Sequence, residues 1–390
     1  MNDFKDTFKE YFKEDEDIQM VFCPYRICPL GAHSDHQYGM ITGLAIDKGI
    51  DIAYVPTDNG AIELVSLNFN GVKSFSLFDI PKKQNDWADY LRGAAFALVA
   101  KYNLRKGLKA LISGSLPVGG LSSSAAVIIA FLSALCRVNG IMLQKSELID
   151  IALCAERDYV GINVGKLDQS CEVYSKKDHL LFLDTKTDEY ELIPQNPNMK
   201  PYEIAIFFSG IERTLVGSAF NKRVDELKSA AYALKAFSGM EYSKFADTRL
   251  RDVPVEVYNE YKDRLPENWR KRAEHFYTEF ARVKEGAKAW REGDIERFGK
   301  LSSQSGHSSI YNYETGSPEL KTLYDIMMNV EGIYGGRFSG AGFKGCCMAL
   351  INPAYREQIE KEVTAQYLAE FPELKGKFSV HFCRSADGCQ

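Results

Sequence analysis

The run LPVGGLSSSAAVIIAFLSALC, residues 116–136, constrains this chain more than any other segment. A Gly/Ser loop at 116–126 passes straight into a stretch so apolar that it reads as a buried helix. Glycines let a backbone approach an anion closely. The three serines add hydroxyl donors, and a helix start points free N–H groups and the positive end of its dipole at the loop. These are the parts of a phosphate cradle, and they equally suit a plain helix N-cap. No G-x-x-x-x-G-K-[ST] pattern is present, so the loop is not of the Walker type. The apolar part, 125–136, is too short for a bilayer, which takes about 20 residues.

The chain has 390 residues, enough for one large or two medium domains. Its 48 Lys and Arg against 53 Asp and Glu give a net charge of −5, which argues against a general nucleic-acid footprint. The opening MNDFKDTFKEYFKEDED is too acidic for a signal peptide. Nine scattered cysteines without a C-x-x-C pair do not make a disulfide framework, and a reducing cytoplasm fits them best. Only Cys346 and Cys347 are close in sequence, and such adjacency is a poor zinc chelate.

Apolar periodicity predicts a short helix over 4–13 and strands at 20–27, 50–55, 61–67 and 73–78. A helix over 87–102, a strand at 108–115, the helix after the Gly/Ser loop and a helix over 146–160 follow. Strands at 179–185 and 202–210 flank the polar, Pro-containing 193–201, the best candidate linker. The second half reads as helix-rich, near 217–237, 266–292, 294–303, 318–329 and 354–370, with strands only at 346–352 and 378–383. Trp269, Ala273, Phe276, Phe280, Val283 and Ala287 form a 3–4-spaced stripe that belongs to a core.

Three further segments carry chemistry. PYRICPLGAHSDH (24–36) places Gly31 before Ala32, His33, Ser34 and Asp35. GINVGKLDQS (161–170) sets Asp168 after a Gly-bracketed turn. GGRFSGAGFKGCC (335–347) packs five glycines around Arg337 and Phe343. Together with the Gly/Ser loop, these segments resemble the four ordered motifs of the GHMP sugar kinases, most closely the galactokinase branch. Arg26 through Asp35 matches R-V-N-L-I-G-E-H-T-D, and Pro117 through Ala125 matches P-x-G-x-G-L-S-S-S-A, one residue shorter. Gly161 through Gln169 matches G-x-N-x-G-x-x-D-Q, and Gly335 through Cys346 matches G-A-R-M-T-G-G-G-F-G-G-C. Trp87, Tyr90 and Gly93 resemble a galactokinase W-x-x-Y-x-x-G helix.

The resemblance implies roles. Asp168 stands where the family has its catalytic carboxylate, and Arg26 where it has the arginine beside it; an ordinary ion pair is the alternative. Gly119, Gly120, Leu121, Ser122, Ser123, Ser124, Gly340 and Gly342 stand in the ATP and phosphate motifs. Ser124 and Glu156 match the Mg²⁺ ligands. Glu156 also follows Leu148 and Ala152 on the apolar face of its helix, where a carboxylate wants a partner: a metal, or a lysine or arginine. Ala32, His33, Ser34, Asp35, Gly165 and Phe220 match sugar-site positions. The implied fold is α+β. A mixed-sheet domain over 1–198 would carry the phosphate loop, a helix-rich domain with a ferredoxin-like core would cover 199–390, and the site would lie between them.

Two departures bear on the sugar. Ala32 replaces the glutamate that contacts a C6 hydroxyl in galactokinases, so an acidic C6 group would no longer face a like charge. Phe220 replaces a tyrosine. The C-P-L-G-A-H and R-F-S-G-A-G-F-K-G-C-C wording resembles the galacturonate-1-kinase subgroup. Lys166 and Lys344 stand at positions usually apolar and glycine, without an assigned role. The expected activity is therefore ATP-dependent phosphorylation at C1 of a galactose-configured sugar, D-galacturonate preferred, with D-galactose as the alternative. The partners are small molecules, with no nucleic acid and no membrane. A non-catalytic sugar sensor of this family would lack part of the set Arg26, Ser124, Glu156 and Asp168, all present here.

Overall fold

In a computed structural model, which describes residues 2–14, 17–211, 217–241, 244–343 and 345–389, the first half of the chain wraps one mixed sheet. Helix α1 (Asn2–Phe12) leads into β1 (Gln19–Ile27), β2 (Met40–Thr57), β3 (Ala61–Ser66) and β4 (Lys73–Ser76). Then come α2 (Asp89–Val99), β5 (Gly107–Gly114), α3 (Ser123–Val138) and α4 (Lys145–Cys154). A π-helical turn (Ala155–Val160), α5 (Leu167–Tyr174), β6 (His179–Asp184) and β7 (Tyr190–Pro194) complete this half. The sheet order is β4-β3-β5-β2-β6-β7, and β1 also pairs with β2. Strand β2 is the hub: Met40–Gly43 pair with β6, and Ile50–Thr57 pair with β5.

The second half runs β8 (Glu203–Phe208), α6 (Gly217–Ser238), α7 (Val255–Tyr261), α8 (Glu267–Glu292), α9 (Ile295–Tyr311) and α10 (Pro318–Met327). It continues through β9 (Ile333–Phe338), β10 (Cys346–Ile351), α11 (Arg356–Glu370), β11 (Ser379–Cys383) and β12 (Ser385–Ala386). Its antiparallel sheet has the order β11-β8-β10-β9, the βαββαβ arrangement of a ferredoxin-like layer. The sequence reading divides the chain at 198/199, between β7 and β8. The two halves nevertheless share a core, in which Val283, Trp290, Phe298 and Met348 pack with residues of the first sheet. The chain end returns as β12 to pair with β2.

The fold corrects several boundaries. The first ten residues of β2 read as loop because Gly43 and Gly49 interrupt them. A Cβ at Gly43 would lie 2.0 Å from Cys171 Sγ, and one at Gly49 would lie 2.1 Å from the Cys23 carbonyl oxygen. These glycines admit a close neighbour and do not end the strand. Strand β9 was hidden in the same way, since Gly335 lies against the Gly299 backbone of α9. Strand β7 falls partly inside the polar 193–201 that reads as linker. Helix α9 runs on to Tyr311 through SSQSGHSSIY, because Ser305, Ser308 and Ser309 are buried against polar partners. Regular helix stops at Cys154, before the π-helical turn. No helix among the described residues is long and apolar enough to cross a membrane.

Candidate active site

Motifs from both halves converge on a cavity of about 640 Å³. Between Pro24 and Arg26 the β1–β2 register shifts, a bulge of the kind that re-aims a side chain. The Arg26 guanidinium, 3% exposed, donates from Nε (2.8 Å) and Nη2 (2.7 Å) to Asp168 Oδ1. Its Nη1 donates to the Gly120 carbonyl (3.2 Å) and Ser339 Oγ (3.3 Å). One cation thus joins β1, the Gly/Ser loop, the third glycine-rich segment and α5. Burial works against its charge, but Asp168, with Cys28 and Cys171 adding to it, outweighs burial and raises its pKa. Asp168 sits in the first turn of α5, directly after the Gly-bracketed segment, where the sequence reading sets it.

The two glycine-rich loops rest backbone on backbone. A Cβ at Gly340 would lie 2.9 Å from Gly120 Cα, and one at Gly119 would lie 3.0 Å from Gly345 Cα. Gly119 and Gly120 have φ of +133° and +84°, open to glycine. Ser122 is left-handed (φ +61°) and opens α3 without capping it through its side chain. Its buried Oγ has no partner among the described residues. Gly119, Gly120, Ser122, Ser123, Ser124 and Gly340 line the cavity.

Glu156 is 2% exposed, and the π-helical turn points it inward. Ser124 Oγ and Gln169 Nε2 donate to it. Burial, helped by the nearby Asp168, pushes its pKa up to about 7. Its partners are therefore a hydroxyl and an amide, not a lysine or arginine. No three His, Cys, Asp or Glu side chains converge into a metal cage among the described residues.

At the other end lie Ala32, His33, Asp35, Gly165 and Phe220, all on the cavity wall. Asp35 Oδ2 accepts the Leu167 N–H (3.1 Å). A Cβ at Gly165 would fall 2.0 Å from that same oxygen, so glycine is required there. Burial, with Asp168 adding to it, raises Asp35 to about 6. His33 stacks on Tyr313 (4.3 Å, 11°), and burial with Arg337 holds its pKa well below the usual histidine value. His275 Nε2 donates to the Ala32 carbonyl (3.0 Å), and Gly31 N–H donates to Glu279 Oε1 (2.7 Å). Ser305 and Arg282 bond the same glutamate, and Arg337 lies 3.7 Å from it. Phe220 meets His36 edge-on at 5.8 Å.

Three expected residues do not line the cavity. Ser34 is fully buried and its hydroxyl donates to the Gly31 carbonyl (2.7 Å), holding the turn. Leu121 points into the core, 1% exposed. Gly342 lies against the Phe338 ring, where a Cβ would come within 2.2 Å. Lys166 pairs with Asp188 (2.7 Å) outside the cavity, and Lys344 lies outside the described residues. Sequence reading missed Tyr25, Ser66, Asn68, Phe69, Asn85, Asp86 and Val164 on the wall. Of these, Phe69 stacks on Trp87 (6.2 Å, 11°), whose buried Nε1 has no partner among the described residues. Most of these residues come from irregular connections outside the motifs, while Tyr25 and Val164 lie inside motif segments at positions given no role.

Comparisons with known proteins agree with this fold. The family model described as the GHMP kinases N terminal domain matches residues 89–176, and the GHMP kinases C terminal model matches 287–369. The galacturonokinase of Arabidopsis thaliana is 37% identical, with 100% of this chain and 97% of that protein covered. The galactokinase of Pyrococcus furiosus is 33% identical over 92% of this chain and 96% of its own. Among solved structures, the galactokinase of Lactococcus lactis complexed with galactose superposes with a TM-score of 0.90. It is 28% identical, and 100% of this chain and 99% of that one are covered. The mevalonate kinase of Methanococcus jannaschii shares the fold (TM-score 0.65, 19% identity, 96% of this chain and 100% of that one).

Proposed function

Because the chain belongs to the GHMP kinases, in the branch of the galactokinases and galacturonokinase, we propose that it transfers the γ-phosphoryl group of ATP to the anomeric hydroxyl of D-galacturonate. The observation that carries the reading is the Arg26–Asp168 pair, open to the cavity between the Gly/Ser loop and the Ala32–Asp35 segment. Asp168 accepts the proton of the anomeric hydroxyl as its oxygen attacks phosphorus. Arg26 holds that carboxylate and faces the developing charge. The N–H groups at the start of α3 receive the phosphates. Phoshoryl transfer is mostly positioning and electrostatics, and this set supplies both. Phe69 and Trp87 suit the nucleoside end, with Trp87 Nε1 as a free donor.

The residues fit Mg²⁺. Glu156 is a carboxyl buried at a cost, next to a hydroxyl and at the phosphate end of the cavity. Hard oxygen donors of this kind suit an ion that takes its remaining ligands from phosphate and water. Ser124 and Glu156 would hold it, and it would neutralise charge on the transferring phosphates.

The choice of galacturonate rests on Ala32. It lines the sugar end of the cavity, leaving no carboxylate at that position to repel an acidic C6 group. An ADP-release assay across galacturonate, galactose, glucuronate and galactosamine tests the proposal. The highest kcat/KM is expected for galacturonate. A preference for galactose would overturn the uronate assignment, and no ADP release with any sugar would overturn the kinase reading.

A further inference from the structure

Glu172 is a buried carboxyl that no step above uses. It lies on α5 one helical turn after Asp168, on the same face. It is 0% exposed, and neither carboxyl oxygen has a hydrogen-bond partner among the described residues. The end of the chain seals it in. Cys389 N–H donates to the Glu172 carbonyl (2.7 Å), and Gly388 N–H donates to the Ser175 carbonyl (2.8 Å). A Cβ at Gly388 would lie 2.6 Å from the Val173 carbonyl oxygen, so glycine is what lets the tail lie flat on α5.

The titratable and charged groups around this carboxyl come from four elements: Asp168 and Cys171 on its own helix, Arg26, Tyr25 and Cys23 on β1, Glu156 on the π-helical turn, and Cys389 on the tail. Arg26 is the one cation in that set, and it is already bonded to Asp168. Burial, with Asp168 and Glu156 adding to it against Arg26, raises Glu172 well above the carboxylate range. A carboxyl buried in this way without a hydrogen-bond partner favours its neutral form.

We propose that Glu172 is a positioning residue for phosphoryl transfer, whose neutral carboxyl leaves Arg26 to Asp168 and the transferring group and whose ionisation draws that charge away. The inference rests on the roles of Arg26 and Asp168 given above. An ionised Glu172 would compete for a guanidinium already committed to Asp168. It would also place a second negative charge behind a reaction that moves an anionic group. A leucine or glutamine would fill the same space without burying an ionisable group, so this residue makes the pair responsive to pH.

The test measures kcat from neutral to alkaline pH for wild type, Glu172→Gln and Glu172→Leu, with thermal unfolding from acidic to alkaline pH. The leucine variant covers the case in which glutamine does not fold. Wild type should lose kcat relative to both variants as pH rises, by roughly tenfold, the scale of one added charge several Å from the reacting centre. The wild-type Tm should also fall relative to the variants as pH rises from the free carboxyl range towards the folded pKa. The unfolded chain gives up this proton first, so rising pH favours it. Parallel pH–rate profiles in folded variants would overturn the proposal, whatever the Tm comparison shows. Failure of the underlying pair would appear separately, as near-normal kcat in Asp168→Asn.

Discussion

The two ends of the cavity are built by different means. At the phosphate end, the backbone determines the shape. Gly119, Gly120, Gly340 and Gly345 let two loops touch where a Cβ would find an atom within 2.5–3.0 Å. At the sugar end, the backbone is held from behind by side chains from distant parts of the chain, and the wall itself is made of side-chain identities. His275 and Glu279 of α8 hold Gly31 and Ala32, Tyr313 backs His33, and serines of α9 bond the same network. A phosphate is the same in every relative, whereas the sugar differs. The first end can thus be fixed by conformation, while the second is open to change one residue at a time.

The sharpest test of the division is at the pair between the two ends. Asp168→Asn should lose roughly 10²–10⁴-fold in kcat, the usual worth of a positioned general base, while a direct binding measurement finds sugar affinity largely kept. Near-normal kcat would make Arg26–Asp168 a structural ion pair. Loss of sugar binding in step with kcat would show that the two ends cannot be separated.

Next in size is Gly120→Val. At φ +84° the new side chain is strained, and its Cβ would lie 2.8 Å from Cys346 Sγ and 3.1 Å from the Ser339 carbonyl oxygen. The third glycine-rich segment must move away. Strain of this kind costs about 1–3 kcal/mol, so kcat/KM for ATP should fall roughly 10–100-fold with a smaller change in sugar KM. Equal losses on both substrates would break the comparison.

How much of this was legible in the sequence follows the same division. The phosphate end reads as motifs because glycine, serine and a helix start are local features. Gly119, Gly120, Ser122 to Ser124, Asp168 and Glu156 line the cavity as the sequence reads them, whereas Leu121 does not. The supports of the sugar end were not. His275, Glu279 and Tyr313 meet the Gly31–His33 turn across more than 240 residues, with Ser305 bonded to Glu279 behind it, and His275 and Glu279 are hidden among the charged residues of α8. Ser34 misled because it lies inside the sugar motif yet bonds its own turn. In the fold, helices with a clear apolar stripe such as α8 were legible, but β9 and the start of β2 were not. Glycine punctuates sequences at turns, and here it also marks strands that another backbone approaches.

Ala32→Glu tests whether the sugar end responds to one residue. Repulsion of a C6 carboxylate across about 4 Å at an effective dielectric near 20 is at most about 4 kcal/mol. Screening and relaxation reduce it to roughly tenfold in kcat/KM for galacturonate. Galactose should gain less, since one regained hydrogen bond contributes about 1 kcal/mol. ATP KM should not move, and if it shifts as much as the sugar constants, the ends are coupled after all.

The smallest effect expected is the pH dependence of the sugar end, read on sugar KM. Burial, with Asp168 adding to it, raises Asp35 to about 6. It is ionised at pH 7 and can accept sugar hydroxyls on both oxygens. As pH falls through 6 the carboxyl gains a proton and one acceptor becomes a donor, so sugar KM should rise severalfold about one unit below the pKa. A free carboxyl titrates near about 4, so the acid group of galacturonate itself stays ionised across this window and does not produce the change. The sign also holds for the protein alone. With its folded pKa above the unfolded value of 3.8, Asp35 makes the empty site less stable as pH rises from about 4 to 6, and a bound sugar that donates to the carboxylate offsets that loss. Asp35→Asn should bind sugar weakly at every pH and flatten the profile, leaving ATP KM alone. A wild-type sugar KM that is level between pH 5 and 7 would mean that Asp35 keeps an ordinary carboxylate pKa or does not touch the sugar.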